Sequence, residues 1–502
     1  MKRERTEESS GFVVEPEKKV PVVYDVDVAV AGASISGVFA ALAAARCGAD
    51  TVLIDRFGQV GGNMGPGMIV QGGKVGPSPR PPAGLTVGMH KGSTGIAQEF
   101  TERYASLRRG GPVPSDQTHY PRDSSTASYT ALKMLQESGV KLMLSAFAAD
   151  PVMEGNRVVG LFVENKSGRE AIRAKVVVDA TGDADVAKRA GAPILYPKQE
   201  YHQLDGHAPT GMGIGFVVGN VDWEAFKRAQ QEPSEEDVRW AEQNLGEKRM
   251  KYLHYVLGAA RKASEAGDFP NLKVEGLSEA WIKMRSLESP DITAAGGTSG
   301  TEDRIAWGVI GYVRKEVMNT GDGVQISLLE ARSRQIIFET VDFYRNYVPG
   351  FERAYLLCIA PFLGARGGPC IEGEYTLTMQ DGREGKQFDD VVYAYPERRV
   401  LQYTSEHGEP KWMEVPYRVM LPKKIDGLVA VGRSASGKPD TLLRSRTAVK
   451  YMGEAGGTAA AMAAKQGISP KQVDVKELQR RLLNSGLYLG NVERLKELKL
   501  LE

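Results

Sequence analysis

The chain is poor in the residues that carry metal and nucleophile chemistry. Only 3 cysteines occur in 502 residues, Cys47, Cys358 and Cys370, and none belongs to a CxxC or a Cys/His pattern. Structural zinc, iron–sulfur ligation and a CxxC redox pair therefore have no foothold, and no metal is expected. Cys47 reads as a small core residue of a helix, and Cys370, in a Gly/Pro loop, has the best case for exposure. The 6 histidines form no HxxxH. No GxSxG, HExxH, P-loop or paired-carboxylate signature is present, which leaves hydrolysis and phosphoryl transfer unsupported. No apolar run reaches the roughly 18 residues that suggest a spanning helix. Net charge is +1, without a basic stripe, so neither a nucleic acid nor an anionic membrane is expected as partner. Residues 1–22 lack a hydrophobic signal core and read as a flexible leader, and the protein is expected to be cytoplasmic.

Glycine, by contrast, is abundant, with 57 residues, and the most informative cluster follows an apolar run near the start. Val26, Val28 and Val30 read as a buried strand leading into Gly32-Ala33-Ser34-Ile35-Ser36-Gly37 and an Ala-rich helix. A second apolar run ends at Asp55, 18 residues after Gly37 and close to the spacing of about 20 at which an acid meets a ribose hydroxyl. Strand, glycine turn, helix, strand and acid in this order make a dinucleotide-binding βαβ unit, in which the helix start offers amides and a positive dipole end to a pyrophosphate. Ser34 stands where the pattern has its second glycine. Its side chain is expected to crowd the diphosphate slightly, although its hydroxyl can also donate.

A glycine-rich stretch over 58–95 contains Gly61-Gly62-Asn63 and is too long for a plain linker, so it is expected to wrap a ligand. A helix is predicted over 126–138, a strand over 140–144, and then a β-meander with turns at Glu154-Gly155-Asn156 and Lys166-Ser167-Gly168. Val176-Val177-Val178 runs into a further glycine turn, Asp179-Ala180-Thr181-Gly182-Asp183. From about 195 to 424 the texture changes to amphipathic helices, including 234–266 and 326–347, mixed with strands. Nucleotide-binding texture returns at Gly427 to Arg433, followed by a helix over 452–464 that is the one segment of low complexity. Each glycine in such a helix costs up to about 1 kcal/mol against alanine, so a close approach to backbone or ligand is expected there.

Taken together, these motifs resemble the glutathione-reductase-like FAD flavoproteins, and more narrowly a bacterial FAD-dependent oxidoreductase family distantly related to fumarate reductase flavoproteins. Supporting segments are Tyr347-Val348-Pro349-Gly350-Phe351, Gly373-Glu374-Tyr375-Thr376-Leu377, Val415-Pro416-Tyr417-Arg418 and Gly432-Arg433-Ser434-Ala435-Ser436 with Arg444 beyond. The resemblance implies an α/β fold: a Rossmann-like FAD-binding domain of the glutathione-reductase type with a β-meander, plus an inserted α+β substrate or cap domain. The expected parts are 23–194 and 425–466 for the FAD domain, 195–424 for the insert and 467–502 for a C-terminal helical tail.

It also implies FAD as cofactor. By resemblance Gly32, Ser34, Ser36, Gly37 and Asp55 hold the ADP half, with Arg56 beside the adenosine; Gly61, Gly62 and Asn63 approach the pyrophosphate and ribityl chain, and Ala148 meets adenine through its backbone. Thr181, Gly182 and Asp183 line the diphosphate, Gly432 and Arg433 complete the site, and amides around Gly456 and Gly457 face the flavin N1/O2 side, where reduced flavin carries negative charge. The implied activity is hydride transfer between a small organic substrate and flavin N5. A flavin-dependent monooxygenase and a flavin-dependent RNA-modifying enzyme are the alternatives. Catalytic candidates are Arg366 and Arg444 as anion clamps, with Arg122 behind them. His90 and His119, then His202 and His207, are candidates for acid or base, and His90 could instead attach the flavin covalently. The family commonly carries an Arg, Ser and Arg cluster before Gly373. Here Arg366 is kept while Pro369 and Cys370 replace the rest, which implies a less negatively charged substrate.

Overall fold

The computed structural model describes residues 13–67, 95–107, 124–197, 212–229, 232–244, 256–268, 306–309, 320–365 and 367–501. Val26, Val28 and Val30 are buried in β1 (Val22–Ala31), the middle of a seven-stranded sheet. β1 runs parallel to β2 (Thr51–Asp55) on one side and to β6 (Gly168–Asp179) on the other, and β3 (Lys141–Leu144) extends the parallel set beyond β2. The far edge of β6 is shared. Its first half pairs antiparallel with β5 (Arg157–Asn165), and β5 with β4 (Phe147–Glu154), so β4, β5 and β6 form the expected meander. Its last residues, Val177 to Asp179, instead pair in parallel with the strand Leu428–Ala430, which arrives some 250 residues later.

Both faces of the sheet are covered, as parallel strands require. Val28, Val30, Val176 and Val178 point into the core shared with α1 (Ile35–Arg46) and the helix Arg446–Gln466, whereas Ala29, Ala31 and Val177 face Ala146, Val158 and Leu161. The predicted helix over 452–464 starts earlier, at Arg446, because the Ser445 hydroxyl accepts from the Ala448 amide and caps it. A Cβ on Gly453 would lie 2.3 Å from the Ser36 carbonyl oxygen and one on Gly457 2.1 Å from that of Ala40. These glycines are what lets two helices touch backbone to backbone.

A second core is built by Phe216, Val218, Ile337, Val341, Phe343 and Phe351. It packs a three-stranded antiparallel sheet, Ala306–Val309, Gly215–Gly219 and Tyr355–Ile359, against helices that include Gly323–Tyr347. The predicted helix over 234–266 is found as two, Glu235–Asn244 and Leu257–Glu265, with 245–255 outside the described residues. Buried residues of this core run from Ile214 to Leu363, whereas Leu377 to Leu421, also within the expected insert, belong to the core of the seven-stranded sheet. The last residues dock there too: Leu478, Leu482 and Leu489 are fully buried, and Arg494 donates to both oxygens of Glu414 at 2.7 and 3.1 Å.

Candidate cofactor site

Four of the five parallel strands, β1, β2, β6 and Leu428–Ala430, end in neighbouring turns. Gly32 leaves β1 at φ +97°, and a Cβ there would lie 2.8 Å from the Ala180 carbonyl oxygen; one on Gly37 would lie 1.9 Å from the Gly32 oxygen, so α1 starts hard against the strand. Ser34 caps α1, its hydroxyl accepting from the Gly37 amide at 3.2 Å and lying 3.1 Å from the Ser36 hydroxyl. Asp55, at the end of β2, accepts from the Ala33 amide at 2.5 Å and the Phe57 amide at 2.8 Å. Burial holds its carboxyl above the ordinary carboxylate value, opposed by those two amides and by the Arg56 charge. Each oxygen keeps a lone pair for a further donor.

Gly61 and Gly62 pass beside this turn, the Gly61 amide donating to the Ala33 oxygen at 2.8 Å. Gly62 has φ +50°, and a Cβ on it would meet Ser34 Cα at 3.0 Å. Asn63 Oδ1 is buried and has no hydrogen-bond donor among the described residues. The exposed Arg56 guanidinium lies over the Phe57 ring at 4.7 Å and the Phe362 ring at 5.9 Å, and those rings stack at 4.6 Å. Phe362 comes from the end of the second core, where the next amide, of Leu363, donates to Glu330 Oε1.

On the other side of β1 the turns after β6 and after Leu428–Ala430 are knitted to each other. Asp179 is fully buried; its oxygens accept from the Thr181 amide, the Thr181 hydroxyl at 2.7 Å, the Ala187 amide at 2.9 Å and the Ser434 hydroxyl. Burial raises its carboxyl, and these donors oppose the rise. The Ser434 hydroxyl accepts from the amides of Gly182 and Ala184, both at 3.1 Å. Arg433 donates to both oxygens of Asp183, at 3.0 and 3.2 Å, and the Thr320 hydroxyl donates to the same carboxylate. Gly432, at φ +69°, leaves room for the Ser36 hydroxyl, which a Cβ would approach to 2.4 Å.

The FAD dependent oxidoreductase family matches residues 27–482. The chain belongs to that family. It is an oxidoreductase enzyme with FAD as cofactor. Digeranylgeranylglycerophospholipid reductase 1 of Methanopyrus kandleri is 28% identical over 173 residues, a match that spans 34% of this chain and only 44% of that protein. Among solved structures, the myxobacterial chondrochloren halogenase, an FAD-dependent halogenase, aligns over 91% of this chain and 79% of its own, at 10% identity and a TM-score of 0.40. A geranylgeranyl bacteriochlorophyll reductase-like protein from Thermoplasma acidophilum aligns over 95% and 96%, at 13% identity and a TM-score of 0.36. Among the described residues, no helix is long and apolar enough to cross a membrane.

The residues of the first turn fit FAD: a capped helix start facing a glycine cradle, a carboxylate with lone pairs to spare, and at Asn63 Oδ1 a buried acceptor that a ligand hydroxyl would satisfy. The other expected positions of this FAD-dependent oxidoreductase have these surroundings. Thr181, Gly182, Asp183 and Arg433 hydrogen-bond to Asp179, Ser434 and each other, bonds that tie the two strand ends together. Gly456 and Gly457 lie eleven and twelve positions into their helix, where amides are already used; a Cβ on Gly456 would meet Val431 Cγ1 at 2.4 Å. That helix starts at Arg446, capped by the Ser445 hydroxyl. The Ala148 carbonyl accepts from Arg189 at 3.0 Å within the β4 edge. Arg444 is half-buried in the turn Leu442–Arg444 just before that helix. Cys370 is 2% exposed, against the expectation, because its strand Cys370–Ile371 pairs with Ile194–Leu195, and Cys358 is the exposed thiol. Arg366, Arg122, His90, His119, His202 and His207 lie outside the described residues. Asp179 and Ser434 lie within recognisable glycine motifs that assign them no role of their own; Thr320 and Phe362 carry no local signal at all.

Proposed function

We propose that the enzyme transfers a hydride between a small organic substrate and FAD, in a pocket between a glutathione-reductase-type FAD domain and the second core acting as cap. The observation that carries this reading is the placement of residues 360–365 and 367–368. The segment leaves the second core, lays Phe362 on Phe57 beside Asp55, and then sets Gly368 against Asp183 and Arg433. It thus touches both halves of the turn cluster. Ligands of open α/β sheets sit at these carboxyl ends of the strands.

FAD, when bound, supplies an N5 position that takes or gives the hydride. In this reading the start of α1 holds the diphosphate, Asp55 accepts from the ribose, and Asn63 Oδ1 accepts from a hydroxyl of the ribityl chain. The positive end of the helix that Ser445 caps would stabilise negative charge on the reduced flavin. Arg366 and Arg444 clamp a carbonyl or anionic group of the substrate, and His90 or His119 moves the partner proton.

Denaturing the purified protein and identifying the released nucleotide tests the cofactor sites; anaerobic bleaching of the flavin by candidate substrates tests the reaction. Arg366→Ala is expected to slow bleaching by about 10²–10³ with FAD content intact, and Arg366→Lys to restore part of it. Substrate hydroxylation with rapid consumption of oxygen by the reduced enzyme would replace the dehydrogenase reading with a monooxygenase.

A further inference from the structure

In the segment Gly367-Gly368-Pro369-Cys370 the two glycines are packed too closely for any side chain. A Cβ on Gly367 would lie 1.8 Å from Asp440 Oδ2. One on Gly368 would lie 2.2 Å from Asp183 Oδ1, 2.2 Å from the Thr320 hydroxyl and 2.7 Å from Arg433 Nη1. No side chain fits at either position, so the backbone itself rests on a polar cluster. That cluster draws on three distant pieces of chain: the turn after β6, the turn at Gly432, and Thr320, which lies two residues before Asp322, the N-cap of the long helix Gly323–Tyr347 in the second core. Arg433 is also packed on Gly182, where a Cβ would be 3.1 Å from Nη2. A two-pronged charged pair with a third donor is geometrically stiff.

We propose that Asp183, Arg433 and Thr320 form a seat that fixes residues 367–370 against the strand-end turns, so that they are positioning residues for the substrate side of the pocket. Their link to substrate rests on the reading above that this loop borders it; the seat itself does not. Through Thr320 the seat is joined to the second core.

Cys370 reports on the seat. It is buried with its Sγ 3.9 Å from the Gly437 oxygen, and burial pushes its thiol up to about 11, so it reacts only when the loop lifts. With Cys47→Ser and Cys358→Ser in the background, the FAD-loaded protein is treated with dithionitrobenzoate under native conditions. Thr320→Val removes one buried hydrogen bond at nearly constant shape and is expected to speed Cys370 labelling by about tenfold, with Thr320→Ser restoring the original rate. Gly368→Ala is expected to speed it further. FAD content, read from the visible spectrum, stays the same in both Thr320 variants. Labelling at the original rate in both Thr320→Val and Gly368→Ala would overturn the seat; so would equal labelling in Thr320→Ser and Thr320→Val, or loss of FAD with Thr320→Val. Faster labelling in the seat variants, together with normal flavin bleaching in Arg366→Ala, would leave the seat standing and remove the substrate reading of the loop.

Discussion

At Gly32 and Gly62 the chain takes positive φ, +97° and +50°, whereas Gly453 and Gly457 sit in regular helix and lack a side chain so that α1 comes close. The first pair shapes the turns beside the ends of β1 and β2. The second pair closes a helix interface, with Gly453 against the Ser36 oxygen and Gly457 against that of Ala40, one helical turn further on. Glycine in a helix and glycine in a turn thus serve different ends: one secures the fold that carries the site, the other shapes the site. The difference is testable, since damage to the interface should appear with or without FAD, while damage to the turn should appear mainly as lost FAD.

The largest effect is expected at the interface. Gly457→Val drives two methyls into the α1 backbone and should cost about 3 kcal/mol or more, read as a fall in Tm or loss of a cooperative melt that added FAD does not restore. A normal melt would show that α1 and the C-terminal helix can separate without penalty.

Glu454 lies in the same helix and makes its contacts with Ile96 and Ser485 pH-dependent. Its carboxylate is 1% exposed and accepts from the Ile96 amide at 2.9 Å and the Ser485 hydroxyl at 2.7 Å. Burial pushes its carboxyl up to about 7 from 4.5; Ser485, Ile96 and Arg46 oppose the rise, and Glu99 adds to it. Between those values the folded chain holds a proton that the unfolded chain has lost, so this group's contribution falls as pH rises through the window. Glu454→Gln should therefore raise stability by up to about 3 kcal/mol at pH 8 and change it little at pH 4. Denaturant melts across pH measure this; a variant that is less stable than the parent at pH 8 would mean that the anion is required as a cap for the helix Gly95–Leu107.

At the turn the effects are smaller and should be confined to the cofactor. Asp55→Ala removes a charged acceptor and should weaken FAD binding by about 1.5–3 kcal/mol, followed by titrating apoprotein with FAD. Unchanged affinity would reduce Asp55 to a brace for Ala33 and Phe57. Asn63→Ala removes an acceptor left without a donor by the described residues, so it should cost about 1 kcal/mol of FAD affinity and leave the melting of apoprotein unchanged or slightly higher. A marked fall in apoprotein Tm would instead assign Asn63 to the fold.

What local order determines was legible in the sequence. Period-2 valines, the turn at 32–37 and Asp55 named the first βαβ unit, and the paired turns near Gly155 and Gly168 named the meander, because strands and turns depend on neighbours only a few residues away. The glycine helix was legible as a close approach, but not what it approaches. That Asp183 faces Arg433, that Ser434 holds Gly182, and that Thr320 and Phe362 reach the cofactor turns were decided by the fold alone. These contacts join residues from 137 to more than 300 positions apart, and they exist only because Leu428–Ala430 takes the second half of the β6 edge and the segment after Tyr355–Ile359 returns from the second core to the strand ends. A polar side chain reads the same in sequence whether it will meet a ligand or another part of the chain; which of these it meets is set by what packing brings within hydrogen-bond reach.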